Sequence, residues 1–403
     1  MRRETCGGCG SRLLAEVLDL GASALADDFP TTRGAALTQK RHPLGLLRCG
    51  ACTLLQISEL VDDAELWGGD YGFYTGSSWV AVEHQQRYAE QLLSAFPLLA
   101  RRLTVEIACN DGTMLRCFAE AGCPALGVDP AAGPTAVARA AGLDVLQAGF
   151  GRETAQKVVD LRGHAGLVVA NNVAAHVANI EDFLAGVKIL LSPSSGVAVL
   201  EFQYVVDLLL GNQFDHVYHE HRQFFSLTSF DAALRVHGLR ATSVKQVKPQ
   251  GGSLRVEVRH DIHHPDHSVN NLLRDEEWLA GSKSLSGLQG RADRIRTRLL
   301  TTLRELASDG MRVAGYGASA KSTTILNWCD IDSSLIQYMV DTTPTKHGRY
   351  TPGTGIPIIS PSADSRAPDV YVMFIHNYLS EIMRREQSFT GRWLVPVPAP
   401  VML

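Results

Sequence analysis

Apolar residues in this chain come in short runs broken by turn residues, and the spacing of those runs changes along its length. Residues 1–70 show little helical periodicity, and an aromatic stretch, DYGFYTGSSW, follows at residues 70–79. WVAVEHQQRYAEQLLSAF then sets apolar side chains three and four apart, which predicts an amphipathic helix. From Leu103 the chain alternates. LTVEIACNDG reads as a strand ending in a turn, TMLRCFAEAG as a helix, PALGVDP as the next strand, and GLVVANN and SGVAVLEFQY as later ones. Such alternation predicts a doubly wound parallel sheet. Near residue 262 the pattern changes: HDIHHPDHSVNN reads as a polar connection, and residues 275–309 carry helical spacing. MRVAGYGASAKSTTILNW restarts the strand, glycine turn and helix, followed by strands in SLIQYMVDTT and DVYVMFIHNY. The expected class is α/β, with a small module at 1–70, a central α/β domain at 71–245 and a second open α/β domain at 246–403.

Length agrees with this division, because single cores rarely grow past about 250–300 residues and this chain has 403. A net charge of −4 gives no electrostatic footprint for nucleic acid or an acidic membrane. The start, MRRETCGGCG, lacks the apolar core of a secretory signal, and no stretch nears the roughly 18 apolar residues of a membrane span. The expectation is a cytoplasmic protein without nucleic-acid or membrane partners, where eight cysteines bind metal or pack rather than form disulfides.

Cys6 and Cys9, then Cys49 and Cys52, form two CxxC pairs. Each pair sets two thiolates on one tight turn, and two such turns complete a tetrahedral four-sulfur site. Four sulfurs leave no open position, so the expected ion is a structural Zn2+. The other cysteines, 109, 117, 123 and 329, read as buried small residues, and Trp79 and Trp328 as packing residues.

The turn from Glu106 through Ala108, Asn110 and Asp111 to Gly112 lies at the carboxyl end of a strand but lacks a full GxGxxG. Asp129 ends the next strand 18 residues after Asp111, where an acid commonly holds ribose hydroxyls. Together they suit an adenosine-containing cofactor with no pyrophosphate. Asn171 and Asn172 end a later strand, where amides bind an amino-acid group or cap a turn; His176 follows.

NQFDHVYHEH carries the densest chemistry, with His216, Tyr218, His219, Glu220 and His221. H-E-x-x-H is absent. A histidine beside a carboxylate suits a general base near neutral pH, against a second metal site or a hydrogen-bonded structural cluster. Gly315 to Lys321 opens a helix whose first N–H groups suit phosphate oxygens, such as the pyrophosphate of NADPH, with Lys321 adding charge. Arg255, beside Gly251 and Gly252, suits either a phosphate or a surface pair, and the histidines of HDIHHPDH read as a solvated loop.

In their order and spacing, the two CxxC pairs, EIACNDGTML, ANNVAAHVANIEDFLAGVKILL, NQFDHVYHEHRQFFSL, QGGSLRV, GYGASAKSTTILNW and VDTTPTKHGRYTPGTGIPI resemble the sugar C-methyltransferases of deoxysugar biosynthesis, across essentially the whole chain. The resemblance implies a zinc-binding N-terminal domain, a central S-adenosylmethionine (SAM) domain of Rossmann type, and a C-terminal domain of the same type that helps hold a nucleotide. It implies methylation at C3 of a dTDP-linked 4-keto sugar through an enolate, in natural-product biosynthesis. It also implies His221 as base, Tyr218, Glu220 and His176 as its supports, and Tyr71 or Tyr74 closing over the sugar. Three places depart from the family's pattern: Ala108 and Cys109 for Gly-Ser, Gln203-Tyr204 for a proline and an aromatic, and the run Phe374 to Tyr378 for an apolar-Trp-Asn run. Two other readings stand beside this one: a bifunctional enzyme that also reduces the 4-keto group with NADPH, and a non-catalytic nucleotide-sugar carrier. Monomer and weak dimer are equally compatible with the sequence.

Overall fold

The computed structural model describes residues 1–67, 74–77, 79–247, 251–281, 285–363 and 367–403. Three sheets organise the chain. The first is antiparallel, built from β1 (Leu14–Ser23), β2 (His42–Cys49), β3 (Leu55–Ile57) and, from far downstream, β9 (Gln223–Phe224), in that order across the sheet.

The second contains β4 (Thr104–Ile107), β5 (Ala125–Asp129), β6 (Val145–Gln147), β7 (Leu167–Asn171), β8 (Val197–Gln203), β10 (Leu239–Val247) and β11 (Ser253–His260), in the order β10-β11-β8-β7-β4-β5-β6. Its first five strands in chain order run parallel, and β10 and β11 add an antiparallel hairpin at β8. All four residues of β4 and the first four of β7 are buried, as expected where helices cover both faces. The chain reverses direction across this sheet at β4, which lies between β5 and β7, so a crevice opens at the carboxyl ends of those strands.

The third sheet takes β12 (Val313–Tyr316), β13 (Met339–Val340), β14 (Ile358–Ile359), β15 (Val370–Met373), β16 (Arg392–Val395) and β17 (Val401–Met402), in the order β14-β13-β12-β15-β16-β17. Only β17 runs antiparallel to its neighbour. Here the switch lies at β12.

The helix foreseen at residues 79–96 is present as Trp79–Ala95. Two expectations shift. The division between residues 245 and 246 lies near the end of β10, and β11 beyond it still pairs with β8, so the central sheet gains a strand from past the division. The polar connection is also shorter than foreseen, because Asp266 caps the helix His267–Asp275 by accepting from the N–H groups of Ser268 and Val269. Of residues 275–309, the regular helix is Leu288–Ser308, whose buried stripe runs Leu288, Ala292, Ile295, Leu299, Leu303 and Leu306.

Candidate active site and metal centre

At the ends of β2 and the first loop, Cys6, Cys9, Cys49 and Cys52 converge. Cys6 Sγ lies 3.5 Å from Cys52 Sγ, and Cys9 Sγ 3.7 Å from Cys49 Sγ. A Zn–S bond of about 2.3 Å gives a tetrahedron with edges of about 3.8 Å, so the four thiols fit a zinc ion. The N–H groups of Ala51 and Cys52 point at Cys49 Sγ, and the Arg3 guanidinium beside Cys6 offsets thiolate charge.

The turn from Ala108 to Gly112 follows β4. Ala108, Asn110 and Gly112 all take positive φ, at 58°, 51° and 75°. A Cβ on Gly112 would meet Leu143 at 2.4 Å, and one on Gly127 would meet Cys109 Sγ at 2.5 Å, so Cys109 fills the space over the glycine of β5. Asp129 accepts from the N–H groups of Asn110 and Ala131, which holds the turn against the end of β5. Glu106 is buried and its Oε2 has no partner among the described residues. Burial and the neighbouring Asp129 push its carboxyl well above the usual range. Asn171 donates to Met114 Sδ, its Oδ1 has no partner among the described residues, and Asn172 turns the chain at a φ of 53°. Glu106, Ala108 to Gly112, Asp129, Asn171 and Asn172 thus gather at the crevice of the central sheet.

The segment after the aromatic loop lies on this turn. Thr75 N–H donates to Asn110 Oδ1 and Gly76 N–H to Asp111 Oδ2 at 2.7 Å. Tyr74 sets its hydroxyl against Gly133, 2.6 Å from where a Cβ would stand. Tyr71 lies outside the described residues.

Residues 218–224 bridge the modules. Arg222 and Gln223 donate their N–H groups to Ala175 O in the turn after β7, and β9 pairs with β3. Arg222 also reaches Val61 O and Asp63, His219 contacts Pro43 O, and Thr324 of the C-terminal domain donates to Val217 O. His221 is buried in this frame. Its Nδ1 lies 2.9 Å from His216 O and its Nε2 2.8 Å from the Tyr218 hydroxyl. A carbonyl can only accept, so Nδ1 carries the proton and Nε2 keeps its lone pair. His176, 4.8 Å away ring to ring, is oriented the same way by Glu220 O at 2.9 Å. Burial drives His176 down to about 4, and burial together with His176 drives His221 well below the ordinary histidine value, so both are neutral at pH 7. The Glu220 carboxyl, by contrast, is pushed up to about 8 by burial and Asp27. Its Oε2 has no partner among the described residues.

Lys321 lies in the first turn of the helix Ala320–Cys329, is half-buried, and donates to Asn377 Oδ1 at 2.9 Å. The glycine turn before it is filled by its own chain. Asp341 Oδ2 takes the Ala318 N–H, Ser319 and Ser322 close a capping box, and Cβ atoms on Gly315 and Gly317 would strike Met339 and Ile375.

Three family descriptions match the chain end to end: a zinc binding domain over residues 6–67, a methyltransferase domain over 81–244, and a C-methyltransferase C-terminal domain over 248–398. The C-methyltransferase NovU of Streptomyces niveus is 31% identical over 98% of this chain and 96% of its own length. The chain belongs to this C-methyltransferase family. Among solved structures, the magnesium protoporphyrin IX methyltransferase of Synechocystis PCC 6803 is 14% identical over 45% of this chain and 81% of its own, with a TM-score of 0.33. A SAM-dependent methyltransferase of Mesorhizobium loti is 16% identical over 44% of this chain and all of its own, with a TM-score of 0.35. Likeness at that level carries no argument about chemistry.

The C-methyltransferase is therefore a SAM-dependent enzyme with a four-cysteine zinc site. Arg255 takes the pairing role foreseen as one of its two, but with a buried partner rather than at the surface. It packs over the Tyr88 ring and its Nε and Nη2 hold the buried Glu201 at 2.9 and 2.7 Å. Among the described residues, the HDIHHPDH run forms no metal grouping. Sequence reasoning missed Asp215, His376 and Asn377, which the fold brings beside Lys321 and His216. The signal available was the altered run Phe374 to Tyr378, which carries both His376 and Asn377. No helix among the described residues is long and apolar enough to cross a membrane.

Proposed function

We propose that this C-methyltransferase methylates C3 of a dTDP-linked 4-keto deoxysugar through an enolate, in natural-product sugar biosynthesis. The observation that carries the reading is His221. It is neutral, with one tautomer selected by His216 O, and its basic nitrogen is held beside the turns that line the cofactor crevice.

SAM, when bound, supplies a methyl group on a positive sulfonium. Glu106, the Ala108–Gly112 turn, Asp129, Asn171 and Asn172 are the residues to hold it. His221 Nε2 takes the C3 proton, and the C–H electron pair moves into a C3–C4 double bond as charge builds on O4. The Tyr218 hydroxyl, released from His221 Nε2 once that nitrogen is protonated, donates a hydrogen bond to that oxyanion. C3 of the enolate is then the nucleophile to which SAM would supply its methyl group, the carbon–sulfur electron pair remaining on sulfur. Tyr218 and Glu220 position the base, Tyr74 closes the cofactor side, and Lys321 faces the nucleotide's phosphates.

The test is mass spectrometry of a reaction containing enzyme, SAM and a dTDP-4-keto-dideoxy sugar, with and without NADPH. A gain of one methyl without NADPH is expected, and two further hydrogens only with NADPH would instead support the bifunctional reading. His221→Asn should abolish the methyl gain while SAM affinity, read by calorimetry, is unchanged. Substantial turnover in that variant would remove His221 as the base.

A further inference from the structure

Two of the places where this chain departs from its family's pattern, Gln203 and the run Phe374 to Tyr378, come together beside the base. Gln203 follows the last buried position of β8 and contacts His216 Nδ1 through its amide. His376, in the C-terminal domain, places Nε2 3.1 Å from Asp215 Oδ2. Asp215 and His216 are wholly buried, and the His376 side chain is only 10% exposed.

Asp215, His216 and His376 each present one donor atom, all within 4.8 Å of one another. Bonds of about 2.0–2.2 Å to nitrogen and oxygen place neighbouring ligand atoms roughly 3 to 3.5 Å apart, and the Asp215–His376 pair already stands at 3.1 Å. Two further atoms call for a partner. His216 Nε2 and Asp215 Oδ1 are buried with no hydrogen bond among the described residues. Buried polar atoms without a partner are rare, because desolvation is uncompensated. Two imidazoles and one carboxylate form a ligand set suited to Zn2+, Co2+ or Fe2+ rather than to Mg2+ or Ca2+. Lys321 opposes a cation here, and its ammonium is engaged by Asn377.

We propose that Asp215, His216 and His376 form a second metal site, separate from the four cysteines, that takes a divalent first-row transition ion across the seam between the central and C-terminal domains. Three protein ligands leave at least one coordination position for water or a substrate oxygen. The ion fixes the His216 ring, and the carbonyl of the same residue accepts from His221 Nδ1–H. Its effect on catalysis is thus positional, transmitted through one residue.

The site is tested by metal content and by Co2+ spectra of the full-length protein, dialysed and then titrated with CoCl2. Two equivalents per chain are expected. One shows the intense thiolate-to-metal band of the cysteine site, and the other shows only weak visible bands of a nitrogen and oxygen site. His376→Gln keeps a hydrogen bond to Asp215 but is a poor ligand; it should bind one equivalent, with the thiolate band intact and circular dichroism unchanged. Asp215→Asn should behave alike. One equivalent in the unaltered protein, fully accounted for by the thiolate band, would overturn the site and leave His376 and Asp215 as a hydrogen-bonded pair. Two equivalents retained in His376→Gln would overturn it as well, since the second ion would then lie elsewhere.

Discussion

At the scale of single residues, burial keeps the histidines of the candidate site neutral. His176 and His219 are both driven down to about 4, chiefly by burial. Each folded value lies below the unfolded one, so the unfolded chain binds more protons as pH falls from about 6.5 to 4. Stability is therefore lost on acidification, by roughly 2 kcal/mol per group at pH 5. Urea unfolding of the zinc-saturated protein should show a clearly lower midpoint at pH 5.5 than at pH 7.5; equal midpoints would mean these rings are solvated. Ala108 is a second residue under constraint. An L-residue at a φ of 58° carries a penalty of roughly 1–2 kcal/mol, and glycine costs about 0.4–1 kcal/mol in chain entropy. Ala108→Gly should raise stability by up to about 1 kcal/mol in thermal unfolding. A loss would show that the methyl group's packing outweighs its strain.

Among elements, what the sequence displayed well was whatever repeats locally. The β4 and β7 runs, the helix from Trp79, the paired cysteines and the Glu106 to Gly112 turn each have a spacing that can be read in one window. What it hid depends on partners distant in sequence. Arg255 read as a phosphate ligand or half of a surface pair, yet its partner is the buried Glu201 on the adjacent strand. Burial alone would raise Glu201; hydrogen bonds from His84 and Arg255 overcome that and hold it low. Arg255→Ala strands that carboxylate, at a cost of about 3–5 kcal/mol. The expected result is a large drop in unfolding free energy with KM for the sugar unchanged in whatever protein remains folded. A selective rise in KM would return Arg255 to the substrate site. The seat of Tyr74, though not the residue itself, was hidden for the same reason, since nothing in DYGFYTGSSW shows that Thr75 and Gly76 hydrogen-bond Asn110 and Asp111.

Across the whole molecule, residues 217–224 are where three modules meet, through Pro43 and Val61, through Ala175, and through Thr324. The sequence showed three modules in order, and the family resemblance supplied their roles. It did not show that the zinc module contributes the sheet against which residues 218–224 are built. Zinc closes the Cys49–Cys52 turn between β2 and β3, and β3 pairs with β9 two residues past His221. Cys52→Ser should therefore lower kcat as well as thermal stability, while SAM affinity is retained. Normal turnover with the zinc site emptied would uncouple the two.

The pairing of β3 with β9 also sets an order of events in time. Until residue 224 has been made, one side of β3 is an unpaired strand edge, the kind that recruits other chains. At about 5–20 residues per second, the wait from residue 57 to residue 224 lasts on the order of ten to thirty seconds. During that interval the nascent chain carries a sheet whose completing strand does not yet exist. Chains that stop short of residue 224 are left with that edge open for good, so premature termination yields a sticky fragment rather than a smaller folded one.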